Sequence, residues 1–407
     1  MNDYAATPHL TIENGVVPTI FVAEGQAGPD ASGFALADIL LHGAQIATVG
    51  QHTISDTGAR LDATGCFVLP GFIDLHVHGG DGADTMDATQ DALDRMARFF
   101  AQHGVTAFVP TTMTAPHAEI LQAVAAVDKW GQKMVTGARS LGVHIEGPYI
   151  SPTFPGAQPA EYIRPPSLVE FAELTSAGPV RMITLAPEVE GADALITAAC
   201  QQGVIAVWGH TNATYEQCVH AANLGVTQAT HTYNAMSGLH HRNPGTLGAT
   251  LALDSVYAQL IADNIHIHPA AMKVLARCKG VDRTILITDA MRAAGLPEGE
   301  YTLGGQAVTV KNGSCRLANG TLAGSILTME QALINFMAAT GLSLAEAWPT
   351  TSRTPAQALG LAHQLGAIAP GYQADLVLLD AQLQVVATVV AGQVVYLRET
   401  ERLYKAT

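Results

Sequence analysis

Short apolar runs rich in Val, Ile and Leu recur along the whole chain, and the stretches between them change character twice. Over the first 65 residues the runs HLTIENGVV (9–17) and ALADILLHGAQIATVG (35–50) are separated by glycine-rich turns. The last 40 or so residues return to this texture in QADLVLLD (373–380) and VVATVVAGQVVYL (385–397). Branched residues bounded by Gly, Asn and Asp predict strands and turns, so both ends of the chain read as all-β. The segment GQAGPDASG (25–33) predicts an exposed loop.

Between about residue 66 and residue 350 the rhythm is different, because short apolar runs alternate with amphipathic stretches. The predicted strands are 68–78, 106–112, 141–147, 181–188, 205–211, 227–234, 258–266 and 284–290. Between most of them lie DALDRMARFFAQHG, AEILQAVAAVDKWG, SLVEFAELTSAG, DALITAACQQG, YEQCVHAANLG and PAAMKVLARCKG, with apolar spacings of three and four and a glycine at the end. Those are helices with C-terminal glycine caps. MEQALINFMAATG (329–341) follows the eighth strand after a long insertion, and the connection after the sixth strand carries the weakest helical pattern.

Eight strands alternating with helices predict an α/β fold, a (β/α)₈ TIM-type barrel over residues 66–362. Residues 1–65 and 363–407 then form one small β-sandwich domain from both chain ends. A doubly wound sheet competes on the same alternation, but G-x-G-x-x-G is absent after the first strand.

Length and composition agree with that picture. A chain of 407 residues with 48% hydrophobic and 14% charged residues can bury a large core. Lys plus Arg number 20 against 35 Asp plus Glu, a net charge of −15, which argues against a nucleic-acid partner. A small anionic ligand stays compatible with it, because one local arginine can grip one phosphate. Five scattered cysteines without a C-x-x-C pair read as thiols of a reducing compartment. MNDYAATPHL lacks a basic segment followed by an apolar run, and no apolar stretch has the length of a membrane helix. The expectation is a cytoplasmic protein.

Polar residues fall where such strands end. A parallel strand covered on both faces stays apolar until it emerges at its C-terminal end. Here the first strand ends in His76 and His78, the third in His144 and Glu146, and the fifth in His210. The sixth carries His231, the seventh ends in His266 and the eighth in Asp289. One histidine near a strand end is ordinarily just a hydrogen-bonded side chain, and His-x-His follows from alternation alone. Metal-competent side chains at successive strand ends converge on one rim, which turns the joint pattern into a candidate site. His144 alternates with Glu146 and reads as packed behind it.

Imidazole and carboxylate ligands suit Zn²⁺, with Fe²⁺, Mn²⁺ and Co²⁺ as competitors. Glu146, His210 and His231 supply three ligands and leave room for water, whose pKa a metal lowers toward neutrality. Asp289 is then the natural general base and later acid, against the simpler reading of a helix cap at Thr-Asp-Ala.

At these residues the chain resembles the amidohydrolase superfamily and, within it, the N-acetylglucosamine-6-phosphate deacetylase family. The resemblance runs from PGFIDLHVHGG (70–80) to GAIAPGYQADLVLLD (366–380). Its most specific pieces are HIEGPYISPTFPGAQPAEYI (144–163), GHTNAT (209–214), ATHTYNAMSGLHHRNPG (229–245), IADNIHIHP (261–269) and LITDAMRAAGLPEGEY (286–301). It implies that Glu146, His210 and His231 bind the principal metal and that Asp289 activates water and protonates the departing amine. It further implies that Asn234 and Ala235 meet a substrate phosphate together with Arg242 from the neighbouring subunit of a homodimer. His266 would hold the sugar, with Asp263 beside it, and Leu322, Ala323 and Gly324 would border it. His240 and His241 are weaker candidates in the Arg242 loop.

Two features vary or depart within the family, the pair His76/His78 and the loop after the third strand. The pair His76/His78 varies among its members and offers a second metal group bridged through Glu146, so one or two ions per subunit stay open. No lysine stands at LAPE (185–188), so the carbamylated-lysine bridge of many relatives is unavailable. The loop after the third strand usually reads Gly-Ala-His or Gly-Thr-His, where the histidine polarises the amide carbonyl, but here it reads Gly156-Ala157-Gln158. A glutamine amide still donates a neutral hydrogen bond, so Gln158 is expected to keep a weaker polarising contact or to leave that work to the metal.

The resemblance leads to hydrolysis of the acetamide of N-acetylglucosamine 6-phosphate. N-acetylgalactosamine 6-phosphate, which differs at the C4 hydroxyl, is the near alternative. Another amidohydrolase chemistry and a non-catalytic sensor of amino-sugar phosphates are remoter. The phosphate loop disfavours the first, and a sensor has no use for Asp289 beside a metal.

Overall fold

The computed structural model describes residues 9–22, 33–51, 58–132 and 136–405. Residues 25–32 of the segment expected to form an exposed loop lie outside the described residues.

Eight parallel strands, each followed by a helix, carry the middle of the chain. They are β1 (Phe72–Val77), β2 (Val105–Pro110), β3 (Val143–Glu146), β4 (Val180–Leu185), β5 (Ile205–Trp208), β6 (Gln228–Ala229), β7 (Tyr257–Ile261) and β8 (Thr284–Ile287). The helices are α1 (Gln90–Gln102), α2 (His117–Gly131), α3 (Leu168–Ala177), α4 (Ala192–Gln201), α5 (Tyr215–Leu224), α6 (Gly245–Ala252), α7 (Pro269–Lys279) and α8 (Met329–Thr340). The weak pattern after the sixth strand is thus a helix, α6, short and built largely of small residues.

β3 to β8 form one half-barrel sheet in sequence order, and β1 and β2 pair in a second. Thr111, just past β2, bridges to His144 of β3 and joins the two sheets. At the far end the Asp289 N–H donates to the His76 carbonyl (2.9 Å), so the row of strands returns to its start. Asp74 of β1 reinforces this seam. Its carboxylate accepts the Thr288 hydroxyl and the Thr288 N–H, and burial pushes its carboxyl up to about 6.

β1, β2 and β8 are buried along their whole length, and most of their side chains are apolar, as expected of strands covered on both faces. Strand ends differ from the sequence reading. The run expected over 68–78 is two strands. Phe67–Pro70 pairs with Leu376–Leu379 in another sheet, and only Phe72–Val77 lies in the parallel row. Gly71 marks the break, because a Cβ there would stand 2.2 Å from the Thr106 side chain. The expected strand 227–234 is just Gln228–Ala229, since left-handed backbone at His231, Tyr233 and Ala235 turns the chain out of the ladder. The run 258–266 stops at Ile261 because the Asp263 carboxylate captures the N–H groups of Ile265 and His266 (2.8 Å each) into a turn.

Both chain ends contribute to one nine-stranded sheet. Its central path runs Gln393–Leu397, Val385–Val390, Leu376–Leu379, Phe67–Pro70, His9–Pro18, Phe34–His42, Gln45–Gly50. It has its own hydrophobic core around Ile12, Ile39, Leu61 and Leu378. Arg139, in a short strand on β2, pairs with the Asp375 carboxylate (Nη1 to Oδ1, 3.0 Å) and locks this unit to the parallel row. The insertion after β8 folds into a three-stranded antiparallel sheet, Gly299–Leu303, Gln306–Lys311 and Ser314–Leu317, packed over the C-terminal ends of the strands.

Asp375 is buried and also accepts the Ala391 N–H, so its removal strands the Arg139 guanidinium. Asp375→Ala is expected to cost about 2–3 kcal/mol in urea unfolding, below the range for a fully buried pair because Arg139 keeps some solvent contact.

Candidate metal centre and active site

Glu146, the last residue of β3, is buried at the centre of the strand ends. Its Oε1 lies 3.2 Å from His210 Nε2 and 3.0 Å from His231 Nε2. Its Oε2 lies 3.4 Å from His76 Nε2 and 3.2 Å from His78 Nε2. One carboxylate therefore faces two histidine pairs, one with each oxygen. Asp289 stands on the other side, its Oδ1 3.3 Å from His78 Nε2 and 3.6 Å from His76 Nε2.

Local backbone aims these groups. His210, His231 and Asp289 each leave the end of a strand with positive φ (49°, 24° and 49°), a conformation uncommon for side-chain-bearing residues. Strain of this kind concentrates where a side chain must point somewhere specific. Gly156, at φ 56°, lies against His210, and a Cβ there would stand 3.0 Å from its Cε1.

The protonation pattern suits a cation. His210 Nδ1–H donates to the Phe154 carbonyl (3.0 Å), which leaves the Nε2 lone pair facing Glu146. The Nε2 atoms of His210 and His231 are 3.0 Å apart and those of His76 and His78 3.4 Å apart. Two buried carboxylates ringed by imidazoles carry a net negative charge that a bound cation offsets. Burial opposes charge on Glu146, but the facing His76 and the close His210 and His231 rings outweigh it and hold the carboxyl well below its usual range. Burial likewise opposes a charged His78, and its bonds to Asp289 and Glu146 override that and raise it, so a metal there would bind in exchange for the His78 proton. His144 behaves differently. Buried, edge-on to His76 and bonded to the Thr184 hydroxyl (2.7 Å), it is pushed well below the usual histidine range by burial and then by His76. It stays a neutral neighbour.

Two ligand groups result, His76/His78/Glu146 and Glu146/His210/His231, with the ligand atoms of each within 4.8 Å of one another. Donor types and convergence both fit a divalent ion of the zinc class.

Residues 67–395 match the amidohydrolase family. The chain belongs to that family. Over 359 residues, 88% of this amidohydrolase and 92% of its relative, it is 41% identical to an N-acetylglucosamine-6-phosphate deacetylase of Lysinibacillus sphaericus. It is 43% identical over 328 residues, 80% and 87% of the two chains, to an N-acetylgalactosamine-6-phosphate deacetylase of Escherichia coli O157:H7. A solved N-acetyl-D-glucosamine-6-phosphate deacetylase of Mycobacterium smegmatis, a point mutant in complex with N-acetyl-D-glucosamine-6-phosphate, superposes with a TM-score of 0.85 at 33% identity. That match covers 95% of this chain and 99% of the other. Amidohydrolases are metal-dependent, in keeping with the two groups.

Above the ligands lies a cavity of about 600 Å³. His78, Glu146, His210, His231 and Asp289 line its floor, and Ala157, Gln158, Asn234, Ala235 and His266 its walls. Leu322 and Gly324 border it from the insertion, whereas Ala323 between them is buried in the small core beneath. Asp263 does not line the cavity. Its Oδ2 accepts His266 Nδ1–H (2.6 Å) and fixes that ring. His76 lies behind His78 and is fully buried. Arg242 is exposed beside His241 (2.7 Å) and does not line the cavity of its own chain.

Gln158 lines the cavity, and its amide is held by neighbouring protein groups. Its Nε2 donates to Glu146 Oε2 (2.8 Å) and its Oε1 accepts the Thr114 N–H (2.7 Å). The amide thus steadies the metal-facing carboxylate, and its carbonyl is committed as well. Arg316, Asn319 and Thr321 of the insertion also line the cavity and were not singled out from the sequence. Their proximity to Leu322–Gly324 in RLANGTLAG was the only available signal.

Glu146 belongs to both ligand groups, so Glu146→Gln is expected to retain almost no Zn²⁺ after reloading and gel filtration. His78→Ala keeps Glu146, His210 and His231 and is expected to hold about one ion per chain by elemental analysis.

Proposed function

We propose that this amidohydrolase removes the acetyl group from N-acetylglucosamine 6-phosphate, giving glucosamine 6-phosphate and acetate. The observation that carries the reading is Glu146 between His210 and His231 with Asp289 facing the same cavity, in a chain 41% identical to a deacetylase of that name. Residues 66–362 are read as one (β/α)₈ barrel, with 1–65 and 363–407 as a small β-sandwich beside it, in a cytoplasmic enzyme.

A divalent ion held by Glu146, His210 and His231, Zn²⁺ ahead of Fe²⁺, Mn²⁺ or Co²⁺, supplies Lewis acidity toward water and the acetyl carbonyl. His76 and His78 complete a second group with Glu146. Asp289 takes the proton from the attacking water as the C–O bond forms. It passes that proton to the nitrogen as the C–N bond breaks, so the amine departs neutral. The Asp263 carboxylate holds the His266 imidazole with Nε2 free to meet a sugar hydroxyl. Asn234 and Ala235 receive the phosphate, and the exposed Arg242 reaches the neighbouring site of a homodimer, where its planar guanidinium grips phosphate bidentately. Leu322 and Gly324 shape the sugar's other edge, with Ala323 packed beneath them.

The E. coli O157:H7 relative favours a second reading, the galactosamine epimer. Amine release from N-acetylglucosamine 6-phosphate, N-acetylgalactosamine 6-phosphate and both unphosphorylated sugars separates the two. A clear preference for the first is expected, and no turnover of any of them by metal-loaded protein overturns the deacetylase reading. Asp289→Asn is expected to keep metal while losing roughly 10²–10⁴-fold in kcat. Arg242→Ala is expected to raise KM for the phosphorylated sugar far more than for the unphosphorylated one.

A further inference from the structure

A line of polar side chains crosses the apolar interior of the strand ring and ends on His76. Gln228 of β6, Thr230, Gln259 of β7 and His76 of β1 are all fully buried. Gln228 Nε2 donates to the carbonyl of Ala358 (3.2 Å), and Gln228 Oε1 accepts from Gln259 Nε2 (3.0 Å). Gln259 Oε1 accepts from the Thr230 hydroxyl (3.2 Å), and Thr230 Oγ1 lies 2.8 Å from His76 Nδ1.

The direction of every bond is forced from one end. A backbone carbonyl only accepts, so Gln228 presents its NH₂ to Ala358 and its oxygen to Gln259. Gln259 must then donate to Gln228 and offer its own oxygen to Thr230. The single hydroxyl proton of Thr230 goes to that oxygen, which leaves a lone pair for His76. His76 Nδ1 carries the proton, and its Nε2 lone pair turns toward Glu146 and Asp289.

We propose that Gln228 and Gln259, acting through Thr230, are positioning residues that fix the tautomer of His76 so that it offers Nε2 as a metal ligand. Both glutamines lie behind the ligands and do not line the cavity. The alternative tautomer would put a proton on Nε2, where it would bond Glu146 or Asp289 and close the ligand position. His78 and His231 lack this control, because their buried Nδ1 atoms have no hydrogen-bond partner among the described residues. A fully connected buried chain is costly to break at any member, since the neighbour is left unpaired.

The inference rests on reading His76 as a ligand, and its test is independent of sugar turnover. The full chain is labelled with ¹⁵N-histidine and stripped of metal, His76 is assigned by its loss in His76→Gln, and the state of each ring nitrogen is read by NMR at a pH where free imidazoles are neutral; Zn²⁺ is added back for the competition. The wild type is expected to show a proton on Nδ1 and none on Nε2. Thr230→Val and Gln259→Leu are expected to lose that pattern and to bind Zn²⁺ about 10–100-fold more weakly at the His76/His78/Glu146 group in chelator competition. Thr230→Ser, which keeps the hydroxyl, is expected to match the wild type. The double variant Gln228→Leu/Gln259→Leu removes both amides, so it leaves neither glutamine unpaired should the single variant fold poorly. A proton on Nε2 in the wild type, or an unchanged Nδ1–H pattern in Thr230→Val or either glutamine variant, overturns the proposal. A protein that hydrolyses none of the sugars yet shows the expected tautomers would sink the substrate reading alone.

Discussion

The structure depends on how a buried carboxylate is kept charged. Glu146 sits buried at the end of a strand, and an isolated carboxylate there would tend to protonate. Four imidazoles and one amide surround it, two on one oxygen and three on the other. Those groups come from β1, from the loop after β3 and from the ends of β5 and β6, so the Gln158 amide and the imidazoles that would share a cation with the carboxylate meet it only when the strands are in register around it. The seam between β8 and β1, stitched by Asp74, Thr288 and the Asp289 N–H, brings the second carboxylate to the same place. Fold and charge distribution are one problem here.

Much of this was legible because parallel strands buried on both faces leave polar residues nowhere to go but their ends. His76, His78, Glu146, His210, His231 and Asp289 stood out against Val, Ile and Leu, and the structure gathers all six. The strand ends were harder to read. Runs such as 227–234 and 258–266 stay β-like in composition, yet His231 turns left-handed and Asp263 captures two N–H groups in a local turn, and neither event shows in the hydrophobic pattern. The double identity of 68–78 was hidden for another reason, since only the close approach of Thr106 reveals Gly71 as a boundary between sheets.

Gln158 shows the limit of reading a substitution by chemical type. As a departure from histidine it invites the question of what it donates to a substrate. The geometry gives another answer, because the amide bridges Thr114 and Glu146 and its backbone is tied in turn to Pro155. The neighbouring Ala157 carbonyl is held by Gln306 of the insertion (2.7 Å). The insertion therefore roofs the cavity with Arg316, Asn319 and Thr321 and also anchors the loop that orients the central carboxylate.

The polar line through the strand ring fits the same logic from below. Replacing buried polar groups by apolar ones of similar shape is often neutral or stabilising. Gln228 and Gln259 are therefore poorly explained as stabilisers. They make sense as a directional element, because a chain of amides anchored on one carbonyl has only one consistent set of donors and acceptors. A histidine facing two carboxylates would otherwise gain by placing its proton between them. Fixing that proton on the far side of the ring keeps the lone pair where the site needs it. The polar line is thus an extension of the site, reaching from the strand-end carboxylates to the Ala358 carbonyl bonded by Gln228.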